Sequence, residues 1–293
     1  MIIGPVRLER ELGRGANGIV YAARTSAGKR VALKVITSPA GSAWQEALRG
    51  VRIGSPHVAR VLDAGVDGGR AWLMMERLRG IDGRTLQRRA ARVGRSSLHP
   101  TLAATIASQA GRGHAAAHAI GIVHRDVKPA NLFVDDRGIR PCVKVLDFGV
   151  AQDPGASGTM LVGTPLYMAP EAITRPSSVD ARADVFGLAL TLRELLMGGP
   201  ADGLSALTVL ALRAHESPAP MSSQRLPVPS GLSAAVDRAL VFDPDRRTPT
   251  MQAFVEEISP FVRDDALLEL RPLLSWDEDC DPLADTMAAP QVA

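Results

Sequence analysis

His124-Arg125-Asp126-Val127-Lys128-Pro129-Ala130-Asn131-Leu132 is the stretch on which the reading of this 293-residue chain turns. It holds a carboxylate able to accept a proton (Asp126), a cation two positions on (Lys128) and an amide able to ligate a metal (Asn131). Asp147-Phe148-Gly149 begins sixteen residues after Asn131 and adds a second acid beside a glycine. One base, one cation and two hard oxygen ligands are what moving a γ-phosphoryl group onto a hydroxyl demands.

Upstream lies Gly13-Arg14-Gly15-Ala16-Asn17-Gly18-Ile19-Val20, whose glycines let backbone N–H groups approach phosphate oxygens. Alone, the pattern also suits a plain hairpin turn or a dinucleotide-binding loop. The latter needs a strand–loop–helix unit with an acid about 20 residues on. Here Ile19-Val20-Tyr21-Ala22 and Val31-Ala32-Leu33-Lys34-Val35-Ile36 read as strands joined through Ser26-Ala27-Gly28. A hairpin lying over phosphates fits, and a crossover unit does not. Lys34 has apolar neighbours on both sides, which points to a half-buried site rather than a solvated edge charge. Glu46 is the sole acid between Pro39 and Asp63.

In this order the segments resemble the motif set of eukaryotic-type (Hanks-type) protein kinases. Val58-Ala59-Arg60-Val61-Leu62-Asp63-Ala64-Gly65 and the 124–131 loop are most similar to those of bacterial serine/threonine kinases. Three further segments extend the resemblance. Gly163-Thr164-Pro165-Leu166-Tyr167-Met168-Ala169-Pro170-Glu171 is similar to the end of an activation segment. Asp184-Val185-Phe186-Gly187 is similar to the buried helix that anchors the larger lobe, and Asp243-Pro244-Asp245-Arg246-Arg247 to a late motif. The resemblance implies an α+β, bilobal fold with a small antiparallel-sheet lobe carrying one main helix over a larger, mostly helical lobe. The catalytic domain is expected over 1–265, with lobes at about 1–76 and 79–265. An acidic, weakly ordered tail is expected over 266–293, although Leu267-Leu268-Glu269-Leu270 could add a helical turn or two.

The implied chemistry is transfer of the γ-phosphoryl group of ATP to Ser/Thr hydroxyls of proteins. Asp126 orients the hydroxyl, Lys128 offsets charge on the γ-phosphate, and Asn131 with Asp147 holds Mg²⁺, for which Mn²⁺ could substitute. Lys34, paired with Glu46, sets the α/β-phosphates. The implied nucleotide-binding set is Gly13, Arg14, Gly15, Ala16, Asn17, Gly18, Val20, Ala32, Lys34, Met75, Glu76 and Leu78. Met75 sets the depth of the adenine pocket, and the backbone of Glu76 and Leu78 bonds the base. Glu171 pairs with Arg247 as a structural ion pair. Ser157, Thr159 and Thr164 are the regulatory candidates: phosphate at Ser157 or Thr159 would pair with Arg125, placed there in trans by a transient homodimer, while Thr164 contacts Asp126 and Lys128 directly.

Two features depart from the family pattern. Lys34 and Glu46 are only twelve residues apart, and Gly50 stands where a large apolar side chain is usual. A pseudokinase scaffold is one rival function, but Lys34, Asp126 and Asp147 are all retained. A small-molecule phosphotransferase is the other, but it would lack the Tyr167–Glu171 segment.

Composition narrows the rest. With 46% hydrophobic residues the chain can build a substantial core, and a net charge of +3 gives no general field for nucleic acid. The arginines from Arg84 to Arg95 read as a solvated helix face rather than a docking patch. Cys142 and Cys280 have no metal-site spacing, which fits a reduced, cytoplasmic setting. No apolar run is long enough to span a membrane, and there is no signal-peptide pattern. His114 and His118, four apart on an expected helix, have two-histidine metal spacing but no accompanying third ligand, so core or surface positions are expected.

Overall fold

The computed structural model describes residues 1–15, 18–36, 53–148, 163–199, 205–223 and 227–274. Strands β1 (Ile2–Ile3), β2 (Val6–Gly15), β3 (Gly18–Thr25), β4 (Arg30–Ile36), β5 (Val61–Asp67) and β6 (Arg70–Glu76) form an antiparallel sheet. Their order is β1-β2-β3-β4-β6-β5. β4 is central because it is apolar on both faces. Val31, Leu33 and Val35 pack with Ile3, Val6 and Trp72 on one side, and alternation sends Ala32, Lys34 and Ile36 to the other. The register sets Val20 and Leu73 opposite Lys34, and Met75 opposite Ala32. Directly opposed residues share a face, so these side chains line one side of the sheet.

Beyond the connector 77–79, helices dominate: α1 (Gly83–Arg92), α2 (Pro100–His118), α3 (Pro170–Thr174), α4 (Ala181–Met197), α5 (Ala206–Arg213), α6 (Ser230–Ala239), α7 (Met251–Ile258) and α8 (Arg271–Leu274). A small antiparallel sheet, β7 (Gly80–Asp82), β8 (Leu132–Asp135) and β9 (Cys142–Val145), leads out of the 124–131 loop. α4 is buried from Ala183 to Leu196, as a helix without a polar stripe must be. Asp180 caps its N-terminus, and Gly198 ends it in the left-handed region at φ 86°. Packed beside it, α2 contributes Leu102, Ala103, Ile106, Ala107 and Ala110 to the same core.

The end of the domain departs from expectation. Residues 266–274 are not a loose tail: Ala266–Leu270 is a 3-10 turn running into α8, and Ala266, Leu267, Leu270 and Leu274 enter the main core. Arg89 donates to Leu273 O at 2.8 Å and Arg271 to Ile139 O at 2.6 Å. Four leucines and alanines at near-helical spacing outweigh the acidic residues that follow them. Residues 275–293 lie outside the described residues, as does the helix expected around Glu46.

Candidate active site

The loop 124–131 is held from below by a single acid. Asp184, fully buried in the first turn of α4, accepts from His124 N at 2.7 Å, Arg125 N at 2.8 Å and His118 Nε2 at 2.7 Å. Burial alone would raise its pKa, but the hydrogen bond and charge of His118 outweigh that and hold it at about 2. Those bonds keep Arg125 at φ 64°, a region that few non-glycine residues enter. The chain then turns so that Asp126, Lys128 and Asn131 converge. Lys128 Nζ lies 2.7 Å from Asp126 Oδ2. Asn131 Nδ2 donates to Asp126 O at 2.8 Å and to its Oδ2 at 3.2 Å. With its nitrogen so engaged, the amide oxygen of Asn131 remains as a hard donor.

The segment end at 163–164 completes the group. Thr164 donates to Asp126 Oδ1 from N at 2.9 Å and from Oγ1 at 2.7 Å, and Lys128 Nζ donates to Thr164 Oγ1 at 2.6 Å. Gly163 makes this approach possible. Its φ is 118°, and a Cβ there would fall 2.7 Å from Arg125 O.

Above the loop, Lys34 is 2% exposed and donates to Asp147 Oδ1 at 2.8 Å. Asp147 itself sits at φ 52°, and its side chain is 39% exposed, open to a cation. Phe148 turns inward, its ring 4.8 Å from that of His124 in an edge-on contact. His114 joins them at 5.2 Å from His124 and 6.2 Å from Phe148. Its Nδ1 bonds Ala110 O at 2.8 Å, leaving Nε2 buried without a partner. Burial, aided by the charge of His124, pushes the His114 pKa down to about 3. His118, one turn on, faces Asp184 instead, so the two histidines at metal spacing do separate structural jobs.

Gly15 pairs with Gly18 at the tip of the β2–β3 hairpin. A Cβ on Gly18 would meet Val35 O at 2.3 Å, so that glycine is required by packing. At Gly13 and Gly15 a Cβ would meet nothing within 4 Å. Packing among the described residues does not ask for glycine at either position. Met75 shares a cavity of about 20 Å³ with Ala59, Val61, Leu73, Val145, Asp147 and Phe148. The Glu76 amide donates to Arg60 O at 2.9 Å, so that N–H is spent on the sheet and unavailable to a base. Leu78 follows in the connector, 9% exposed. A larger groove of about 510 Å³ involves Leu98, His99, Leu102 and Leu196 at the start of α2 and the end of α4. It lies a helix length, roughly 28 Å, from loop 124–131 and contains none of the motif residues.

The protein kinase domain family matches residues 6–255. The chain belongs to the protein kinase family. Among curated kinases it is 37% identical over 270 residues to the serine/threonine-protein kinase Pkn1 of Myxococcus xanthus, covering 86% of this chain and 37% of that protein. It is 36% identical over 261 residues to the serine/threonine-protein kinase PknD of Mycobacterium tuberculosis, covering 83% of this chain and 38% of that protein. The chain thus spans well under half the length of these relatives. Among solved structures, the kinase domain of Mycobacterium tuberculosis PknI matches with a TM-score of 0.70 and 28% identity, covering 89% of this chain and 98% of that one.

Within this kinase domain, Arg247 grips Glu171 with Nη1 at 2.7 Å and Nη2 at 2.9 Å, both side chains buried and the guanidinium 4.8 Å over the Phe186 ring. Other contacts join residues that no short motif links. Tyr167 Oη donates to Glu194 Oε2 at 2.5 Å, and burial, then the Glu194 charge, drives its pKa upward. Arg213 donates to Leu166 O at 3.1 Å, tying α5 to the segment end. Glu76 sits among Arg60, Arg137 and Lys144. Burial favours its neutral form, but the bonds from Arg137, the Arg60 amide and Lys144 win and hold it at about 2. Ala16, Asn17, Glu46, Gly50, Gly149, Ser157 and Thr159 lie outside the described residues. Among those described, no helix is long and apolar enough to cross a membrane.

Proposed function

We propose that this chain transfers the γ-phosphoryl group of ATP to serine or threonine hydroxyls of proteins. The observation that carries the reading is the convergence of Asp126, Lys128 and Thr164 beneath Lys34 and Asp147. Asp126 already accepts a bond from a threonine hydroxyl at 2.7 Å, the relation a substrate hydroxyl needs for in-line attack. Lys128 offsets the charge of the departing phosphoryl group. Lys34 positions the α/β-phosphates, and the Glu76–Leu78 segment with Met75 receives the base. The oxygen donors of Asn131 and Asp147 suit Mg²⁺ or Mn²⁺, which supplies charge neutralisation to the phosphates when bound. In this reading the enzyme is bacterial, works in the cytoplasm and phosphorylates its own segment at Ser157 or Thr159 within a transient homodimer. Intact-mass and fragment analysis after incubation with ATP checks that last step; an unmodified 154–164 segment in active enzyme contradicts it.

Incubation with γ-labelled ATP, Mg²⁺ and a generic protein substrate, followed by phosphoamino-acid analysis, tests the main reading. Label is expected on phosphoserine and phosphothreonine. Label confined to small-molecule acceptors, or nucleotide binding without transfer, supports the rival functions instead.

A further inference from the structure

The β8–β9 hairpin has two functional ends. Asn131 immediately precedes β8, and Asp147 lies two residues after β9, so one end presents the candidate metal donors. The other end faces the connector between the lobes. There Arg137 Nη2 donates to Glu76 Oε2 at 2.6 Å while its Nε donates to both oxygens of Asp135 at 2.9 Å. Asp135 Oδ1 also accepts from Arg79 N at 3.0 Å, and Asp136 N donates to Arg79 O at 2.7 Å. Lys144 of β9 reaches Glu76 Oε1 at 3.0 Å and Pro56 O at 3.0 Å. The Glu76 and Asp135 side chains are only 14% and 6% exposed, whereas Arg137 is 36% exposed.

One guanidinium therefore bridges two shielded carboxylates on different lobes: Glu76 at the end of the large sheet, Asp135 on the hairpin. An exposed ion pair of ordinary kind contributes little. This one differs because its fork fits both acids at once and so ties Glu76 to Asp135, whereas Lys144 reaches Glu76 and the Arg79 amide reaches Asp135 separately. The hairpin is four residues long on each strand, roughly 13 Å, so it acts as a short rigid rod.

We propose that Arg137 is a positioning residue for the nucleotide: by locking Glu76 to the hairpin, it fixes the distance between the base-binding connector and the metal donors Asn131 and Asp147. The proposal rests on the nucleotide reading of the cleft. It predicts that a ligand touching both ends depends on Arg137, and a ligand touching only the base end does not. ATP is the first kind and adenosine the second.

Calorimetric titration of Mg·ATP and of adenosine into the wild type, R137A, R137K and E76Q tests this, with thermal melting in parallel. The dissociation constant for Mg·ATP is expected to rise about tenfold in R137A, because misplacements near 1 Å are costly. Adenosine affinity should stay within about twofold. R137K should fall between wild type and R137A, since one ammonium nitrogen cannot reproduce the separate Nε and Nη2 bonds to the two acids. E76Q should shift in the same direction and keeps the test open should R137A fail to fold. Equal Mg·ATP affinity in wild type, R137K and E76Q overturns the clamp. So does an equal loss for adenosine and Mg·ATP, which indicates local damage. A wild type that binds neither ligand overturns the reading of the cleft itself, a result distinct from both.

Discussion

Lys34 is nearly inaccessible to solvent, yet the acid it holds is not, since the Asp147 side chain is 39% exposed. Removing the lysine therefore leaves no buried unpaired charge on Asp147, and water can solvate the carboxylate. Lys34→Met is expected to keep the wild-type circular dichroism spectrum and to lose at least about 100-fold in phosphotransfer through misplaced phosphates. Gross unfolding of this variant would make the lysine structural and remove it from the site. His114 carries a separate prediction. Its folded form takes a proton only near pH 3, against an ordinary value of 6.5, because burial and the charges of His124 and His118 outweigh Asp184 and the bond to Ala110 O. Between those values the unfolded chain binds more protons, so stability is lost as the pH falls below 6.5 and is untouched above it. His114→Leu should shrink the difference in unfolding free energy between pH 7 and pH 5 by on the order of 1–2 kcal/mol. An unchanged difference in chemical denaturation would show that the ring is not held neutral.

At the scale of elements, the loop 124–131 and the segment at 163–167 form one unit, joined through Thr164. Its hydroxyl stands between Asp126 and Lys128, at 2.7 Å and 2.6 Å. Thr164→Ala removes that bridge and should lower turnover by about 10- to 100-fold with little change in melting temperature, whereas Thr164→Ser should recover most of it. Full activity in the alanine variant would mean that the segment end is held by Gly163 and the backbone alone. The contiguous parts of this unit were legible in the sequence because each motif places its chemistry within a few residues. The strands around Lys34 were equally legible from their apolar runs and the turn at 26–28, and α2 from its helical spacing. The ion-pair network at the connector was not. Glu76 and Arg137 lie 61 positions apart, and each alone looks like an ordinary solvated charge. The Tyr167–Glu194 bond, across 27 positions, was hidden for the same reason. The core reaches past residue 265 because Ala266, Leu267, Leu270 and Leu274 keep an apolar spacing that the acidic residues after them mask.

For the whole molecule, the sheet and the helical body each supply half of a site that neither could form alone. The sheet contributes Lys34 and the open glycines of the β2–β3 hairpin. The helical body contributes Asp126, Lys128, Asn131 and Asp147, raised on the buried acid of α4. The central claim is that these groups meet to move a phosphoryl group, with Asp147 carrying the charge that holds the metal. Transfer of label from γ-labelled ATP to a protein substrate, compared between wild type and Asp147→Asn at equal folded concentration and saturating Mg²⁺, tests it most directly. The account predicts label on serine and threonine with the wild type and at least about 100-fold less with the variant. Wild-type rates in Asp147→Asn would contradict it.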